Sequence, residues 1–329
     1  MKNFCFFIFL LIFGFIASVS AEETSGMVKV ENYFSTPLLT VGLVDYPPFS
    51  RYVSKRKNSS MLDLESALLQ PTIDVLKKHG INIVPQLLTA DELDPKMLTL
   101  AVRSGKYHLY IGAYSNTHLY KGLQLIFPAS IANPIHLITI KENTSNIKNR
   151  NELKNLRGVM SKTEQISDFI AQQIKELGVE YVDTPYEGYE KLIMGDADYM
   201  LGGLYYNRMM ASHYGLGSFL AYSHQPLFKI PLFIAISKVT PRLSQYMEIF
   251  QEEFSKPDYA NAVKKEILRL VTEEEKFYAG AVPPSFARHN IEEKQEEYLD
   301  VDDDVTVNSG HIIEQQVKER SIDDVLEGI

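Results

Sequence analysis

The stretch LLTVGLVDYPPFS, residues 38–50, decides how this chain is read. Residues 38–46 are rich in Val and Leu and read as a buried strand. The strand stops on Asp45, Tyr46, two prolines and Phe49. Proline presets its own backbone angle, so the turn is stiff and the two rings are held in place. An acid and two aromatic rings are therefore set at the C-terminal edge of a buried strand.

Working outward, residues 51–60 are basic and polar and read as a loop. Residues 62–80 have helical spacing, with Gly80 where a C-terminal glycine belongs and Pro71 marking a kink or restart. Residues 81–89 read as a strand. Asp94 and Pro95 make a strong helix start for 94–107, and 108–114 is again a strand. The order β-α-β-α-β with short links predicts a parallel sheet with helices on its faces.

A second unit of similar size follows. Strands are expected at 135–141, 179–185 and 199–205, with helices at 151–158 and 188–198. SKTE, 161–164, has the spacing of a capping box, with Ser161 at the N-cap and Glu164 at the third helical position, opening a helix from Gln165. After a strand at 225–237 come two amphipathic helices, 242–255 and 257–275, which cannot bury their apolar faces alone. The chain is expected to return to the first unit, crossing at 127–134 and again at 223–230. The resulting division is 37–130 plus 228–277 for the first lobe and 133–226 for the second. Residues 283–329 form a C-terminal tail, in which 291–304 hold eight acids and one lysine, a pattern of solvated, mobile chain.

The totals bound the function. The 329 residues are 45% hydrophobic and 23% charged, enough for a two-domain protein with a sizeable core. A net charge of −9 argues against a nucleic-acid partner. Residues 1–21 join Lys2 to a short apolar run and the small residues Val19 and Ala21, the pattern of a secretory signal cleaved before Glu22. The single cysteine, Cys5, lies in that signal, so the exported chain would rest on its core and not on disulfides. A periplasmic location is the expectation. The eight histidines are scattered, and no metal-binding or nucleophile motif occurs; neither metal nor cofactor is expected.

The motifs LLTVGLVDYPPFS, GKYHLYIGAYSNT, LQLIFPAS, ELKNLRGVMSKTE and GDADYMLGGLYY occur in an order that resembles the periplasmic solute-binding proteins of the amino-acid-binding group (family 3, type II) of ABC transporters. The resemblance covers roughly residues 37–277. It implies an α/β fold of two lobes, hinged by two crossing segments, with ligand held between them. Asp45, Tyr46 and Phe49 would then line the first lobe's side of the cleft, beyond the C-terminal end of a strand. Tyr114, Ser115, Asn116 and Thr117 follow another strand end, with Lys121 beyond. In the second lobe Lys162, Thr163 and Glu164 would present a helix N-terminus, favouring an anionic group. Tyr205 and Arg208 follow a further strand end.

The chain departs from the resembled pattern at two points. Thr117 fits the family's threonine, but Tyr120 stands where that group has its carboxylate-clamping arginine. Gly202 and Gly203 stand where it has the Asp that takes the ligand's amino group. Standard L-amino acids are therefore expected to bind poorly, and a polar ligand, anionic or amino-acid-like, is expected instead. The implied function is capture of a small molecule by a monomer and delivery to an inner-membrane permease or sensor, without catalysis. The alternative is an enzyme resembling the periplasmic cyclohexadienyl dehydratases, with Glu164 or Asp45 as general acid.

Overall fold

A computed structural model describes residues 36–55, 59–114, 120–141 and 152–287. The elements of the first part are β1 (Leu38–Gly42), β2 (Arg51–Val53), β3 (Asp63–Glu65), α1 (Leu69–Lys77), β4 (Ile83–Pro85), α2 (Pro95–Arg103), β5 (Leu109–Tyr114) and β6 (Leu123–Leu125). The long strand β7 (Ile131–Ile140) leads to β8 (Gly158–Ser161), α3 (Asp168–Lys175), β9 (Glu180–Val182), α4 (Pro185–Ile193), β10 (Tyr199–Gly203), α5 (Leu204–His213) and β11 (Leu220–Tyr222). A second long strand, β12 (Phe228–Ser237), returns to α6 (Leu243–Phe254) and α7 (Pro257–Phe277).

One sheet runs through both halves in the order β4-β1-β5-β12-β7-β10-β8-β9. β1 pairs in parallel with β4 and β5, and β8 in parallel with β9 and β10. Parallel strands need covered faces, and β1, β5, β8 and β10 are correspondingly apolar and buried. The helix starts are chemically specified. Asp94 accepts the N–H groups of Lys96 and Met97 at 2.8 and 2.9 Å, and Thr184 caps α4 through Glu187 N–H. Caps of this kind contribute about 1 kcal/mol each.

The halves are joined where β7 and β12 run antiparallel, from Phe228 opposite Ile135 to Leu232 opposite Ile131. Each strand then continues into its own half. β7 pairs with β10 and β11, and β12 with β5 and β6. A register shift between Phe233 and Ile234 bends β12 as it leaves β7 for β5. The crossing segments thus lie at 131–135 and 228–232, close to the expected 127–134 and 223–230.

Three expectations are corrected. Residues 62–68 are not helical: β3 pairs with β2 in a hairpin held by Arg51 and Glu65 at 2.6 Å, and α1 starts only at Leu69. Pro71 has no N–H to donate, so it sits in the first turn, where none is needed. Ser161 ends β8 and does not cap a helix; the next helix starts at Asp168, capped by Ser167. The stretch read as a tail from residue 283 is packed as far as Ala287, which is wholly buried in the second half's core with Phe286 against it. Residues 288–329, with the acidic run, and residues 1–35, with the expected signal, lie outside the described residues.

Helices α6 and α7 come back to the first half. Phe250, Phe254 and Tyr259 stack in sequence, and the Tyr259 hydroxyl lies 3.0 Å from Thr72 on α1. The far end of α7 also reaches the second half, where Glu275 takes both Nε and Nη2 of Arg208 on α5.

Candidate functional site

The turn after β1 is aimed by its backbone. Asp45 adopts a left-handed conformation, φ 53°, which Asp tolerates better than most residues, and its side chain is exposed. The chain then folds back, with Tyr46 and Ser50 bridged by backbone hydrogen bonds and Ser66 donating its hydroxyl to the Phe49 carbonyl. Tyr46 and Phe49 are driven inward and wholly buried, their rings 6.0 Å apart. Tyr114, the last residue of β5, meets the Tyr46 ring edge-on at 6.5 Å. From the second half, Tyr206 stacks on Tyr46 at 4.5 Å and Tyr205 meets Phe49 at 6.1 Å.

A polar cluster lies beneath these rings. The Tyr46 hydroxyl donates to Glu164 Oε2 at 2.6 Å, one half of the molecule to the other. Asn207 Nδ2 and the Gly203 N–H donate to Glu164 Oε1 at 2.5 and 3.1 Å. The Asn207 amide is oriented by Tyr189, whose hydroxyl donates to Asn207 Oδ1 at 2.8 Å. Asn133, on the crossing strand β7, donates to the Tyr46 hydroxyl at 3.0 Å. The helix N-terminus that meets an anion is therefore that of α5, and the anion is Glu164 itself, placed to interact favourably with the helix dipole.

Glu164 is 6% exposed, and every donor to it is neutral. Burial pushes its carboxyl above the ordinary carboxylate value, and the bonds from Tyr46, Asn207 and Gly203 offset this only in part. Burial and the Glu164 charge together hold the Tyr46 phenol neutral. Asn133 Oδ1 and the Tyr114 hydroxyl, both buried nearby, make no hydrogen bond of normal geometry.

Gly202 and Gly203 are part of the construction. A Cβ on Gly202 would lie 2.8 Å from Glu164 Oε1, and one on Gly203 would lie 2.7 Å from the Tyr46 hydroxyl. The acid that the sequence lacks at 202 and 203 is delivered to the same place from residue 164.

The sequence matches no protein-family model and no curated protein. Solved structures do share its architecture. One is a putative ABC-transporter binding component from Wolinella succinogenes complexed with lysine, at 16% identity and a TM-score of 0.52, covering 72% of this chain and 97% of that one. Another is an ancestral cationic amino acid solute-binding protein, AncCDT-1, at 15% identity and a TM-score of 0.50, covering 71% and 95%. A third is the GluR0 ligand-binding core complexed with L-glutamate, at 14% identity and a TM-score of 0.50, covering 72% and 99%. The fold is that of the two-lobed periplasmic binding proteins. The β7/β12 crossing is the link between its lobes, and the Glu164 cluster lies where they meet.

The structure brings together Tyr46, Phe49, Tyr114, Thr163, Glu164 and Tyr205; Thr163 lies 3.3 Å from the Tyr206 hydroxyl. It leaves others apart. Lys121 is exposed, with its carbonyl bonded to Arg103. Lys162 is exposed and pairs with Asp183 at 2.5 Å, so it offers no anion site at a helix start. Arg208 is bound to Glu275. Asp45 lies at the rim, its charge felt by Tyr206 and Tyr214. Ser115, Asn116 and Thr117 lie outside the described residues. Tyr120, in place of an arginine, is buried with its ring 5.2 Å from that of Tyr110. Asn133 carries no sequence signal, since it stands in no motif, whereas Asn207 follows the same strand end as Tyr205, Tyr206 and Arg208. Among the described residues no group of three His, Cys, Asp or Glu side chains is placed to hold a metal, and no helix is long and apolar enough to cross a membrane.

Proposed function

We propose that this chain is an extracytoplasmic solute-binding protein. It closes its lobes on a small polar ligand of about amino-acid size and presents the closed form to a membrane permease or sensor. It works as a monomer, reaches its compartment through a cleaved signal at residues 1–21, and leaves its ligand chemically unchanged. The observation that carries this reading is the Tyr46–Glu164 hydrogen bond, which joins the lobes through a buried polar cluster beside the crossing strands. A ligand that bridges two lobes binds the closed form better and so shifts the population toward it. The fold, and the amino-acid ligands named for two of its structural neighbours, support a ligand of that size.

The enzyme reading has one observation in its favour: a buried carboxyl held above its ordinary value suits a general acid. Against it, both Glu164 oxygens are engaged by neutral donors that serve to fix a charge in place. Small-angle X-ray scattering with and without added ligand tests the proposal. Binding should reduce the radius of gyration, with the ligand recovered intact by mass spectrometry. A ligand that binds without compaction, or that is recovered altered, would overturn it.

A further inference from the structure

We infer that the ligand is an organic ammonium without a carboxylate, its cation held by the Glu164 carboxylate against the Tyr46 and Tyr206 rings. This ligand class deepens the solute-binding reading and rests on it.

The charge balance points this way. Glu164 brings a negative charge to the junction, and the groups that meet it there are a phenol, a carboxamide and a backbone amide. Among the described residues no lysine or arginine hydrogen-bonds to this cluster. Lys162, the nearest in sequence, is held outside by Asp183, and Arg208 on α5 is taken by Glu275. The neutral donors do not fully offset burial, since the carboxyl still stands above its ordinary value. A buried carboxylate in this state is matched by a cation.

The spare hydrogen-bonding capacity agrees. Asn133 Oδ1 is a wholly buried acceptor that receives no hydrogen bond of normal geometry, while the Tyr114 hydroxyl lies against Asn133 and Tyr46. An ammonium, which carries only donors, would serve both Asn133 and Glu164. Tyr46 stacks on Phe49 and on Tyr206, so parting Tyr206 from Tyr46 as the lobes open would bare two aromatic faces, which attract cations. The Tyr46 hydroxyl gives Glu164 the kind of hydrogen bond that an ammonium N–H would give.

A carboxylate on the ligand would face the opposite situation. It would enter beside Glu164 where, among the described residues, no cation bonds to the cluster to receive it, and like charges in a buried site repel strongly. The sharpest probes are therefore pairs that differ only by that group: 1,5-diaminopentane against lysine, agmatine against arginine, and 2-phenylethylamine against phenylalanine.

Isothermal calorimetry on the full exported chain, with scattering to read closure, tests the class. At least one amine should bind ten-fold or more tightly than its amino-acid partner and compact the protein. Glu164→Gln, which keeps the shape and removes the charge, should weaken that amine at least ten-fold. In the unaltered protein the same affinity should fall as pH is lowered through the titration of Glu164. The phenols facing it, Tyr46 and Tyr114 from the first lobe and Tyr189 and Tyr206 from the second, are held above their ordinary range and stay neutral throughout. Compaction by an amino acid as tightly as by its amine overturns the ligand class and leaves the solute-binding reading intact. So does an amine affinity unchanged in Glu164→Gln and flat with pH. Binding of an amine with no compaction overturns the solute-binding reading instead.

Discussion

The two lobes touch through two kinds of polar contact, and the contrast between them is instructive. At the Tyr46–Glu164 cluster a charge is buried and met only by neutral donors. At the end of α7 the charges are fully paired and partly wet. Arg208 of the second lobe binds Glu275 of α7, the pair 30% and 31% exposed, next to the Arg51–Glu274 pair within the first lobe. Partly exposed pairs are cheap to separate in water, whereas a buried carboxylate changes its energy with each donor it gains or loses. On the proposed function, the first contact would read what enters between the lobes and the second would hold them in register.

The largest effect should come from breaking the buried contact. Tyr46→Ala removes a wholly buried ring and one of the three donors to Glu164, and should lower unfolding stability by about 3–5 kcal/mol in urea titrations. A loss below about 1 kcal/mol would mean that the turn is only loosely packed. Glu164→Gln should act in the opposite direction, stabilising the ligand-free protein by on the order of 1 kcal/mol at neutral pH, as the desolvation of a charge is relieved. The pH profile supplies the sign. Because the folded-state carboxyl lies above its unfolded value, its contribution is fully present below the ordinary carboxylate range and is lost as pH rises through the raised one. That decline should be present in the parent protein and absent in the variant.

The wet contact should respond less and to a different variable. Arg208→Ala should cost about 0.2–1 kcal/mol at low salt, with most of the difference gone in 1 M sodium chloride. Equal losses at both salt concentrations would assign the effect to packing of the arginine stem on α7. The smallest effect is expected from Lys162→Ala, whose partner is even more exposed than itself; thermal melts should not separate it from the parent. A clear drop in Tm there would bring Lys162 back as a structural participant.

The legible part of the fold is the part that local pattern can encode. The βαβ order, the cap at Asp94 and the rings at the end of β1 come from short-range spacing, and the structure places them accordingly; the cap at Thr184 falls inside a stretch read as a strand. The hairpin of β2 and β3 was hidden because RYV and DLE are short, polar and ten residues apart. Glu164 stands out in the sequence as part of a helix start, but the helix begins four residues later, at Asp168. Its real setting depends on Asn207, Gly203 and Tyr46, which are 39 to 118 positions away in the chain. No local spacing carries such a contact. Gly202 and Gly203 read as a missing acid, whereas in the fold they are the space into which another acid reaches.

Those two glycines also constrain how this protein can change. An aspartate at position 202 would run into Glu164 and Asn207, so the two ways of supplying the carboxylate exclude each other within one molecule. Gly202→Asp alone should be deleterious, and so should loss of Glu164 alone for an ammonium ligand. Only the pair of changes exchanges one working arrangement for the other. Laboratory selection for a new ligand should therefore stall between the two sequences unless both codons are varied together, and libraries randomised one position at a time should return neither substitution.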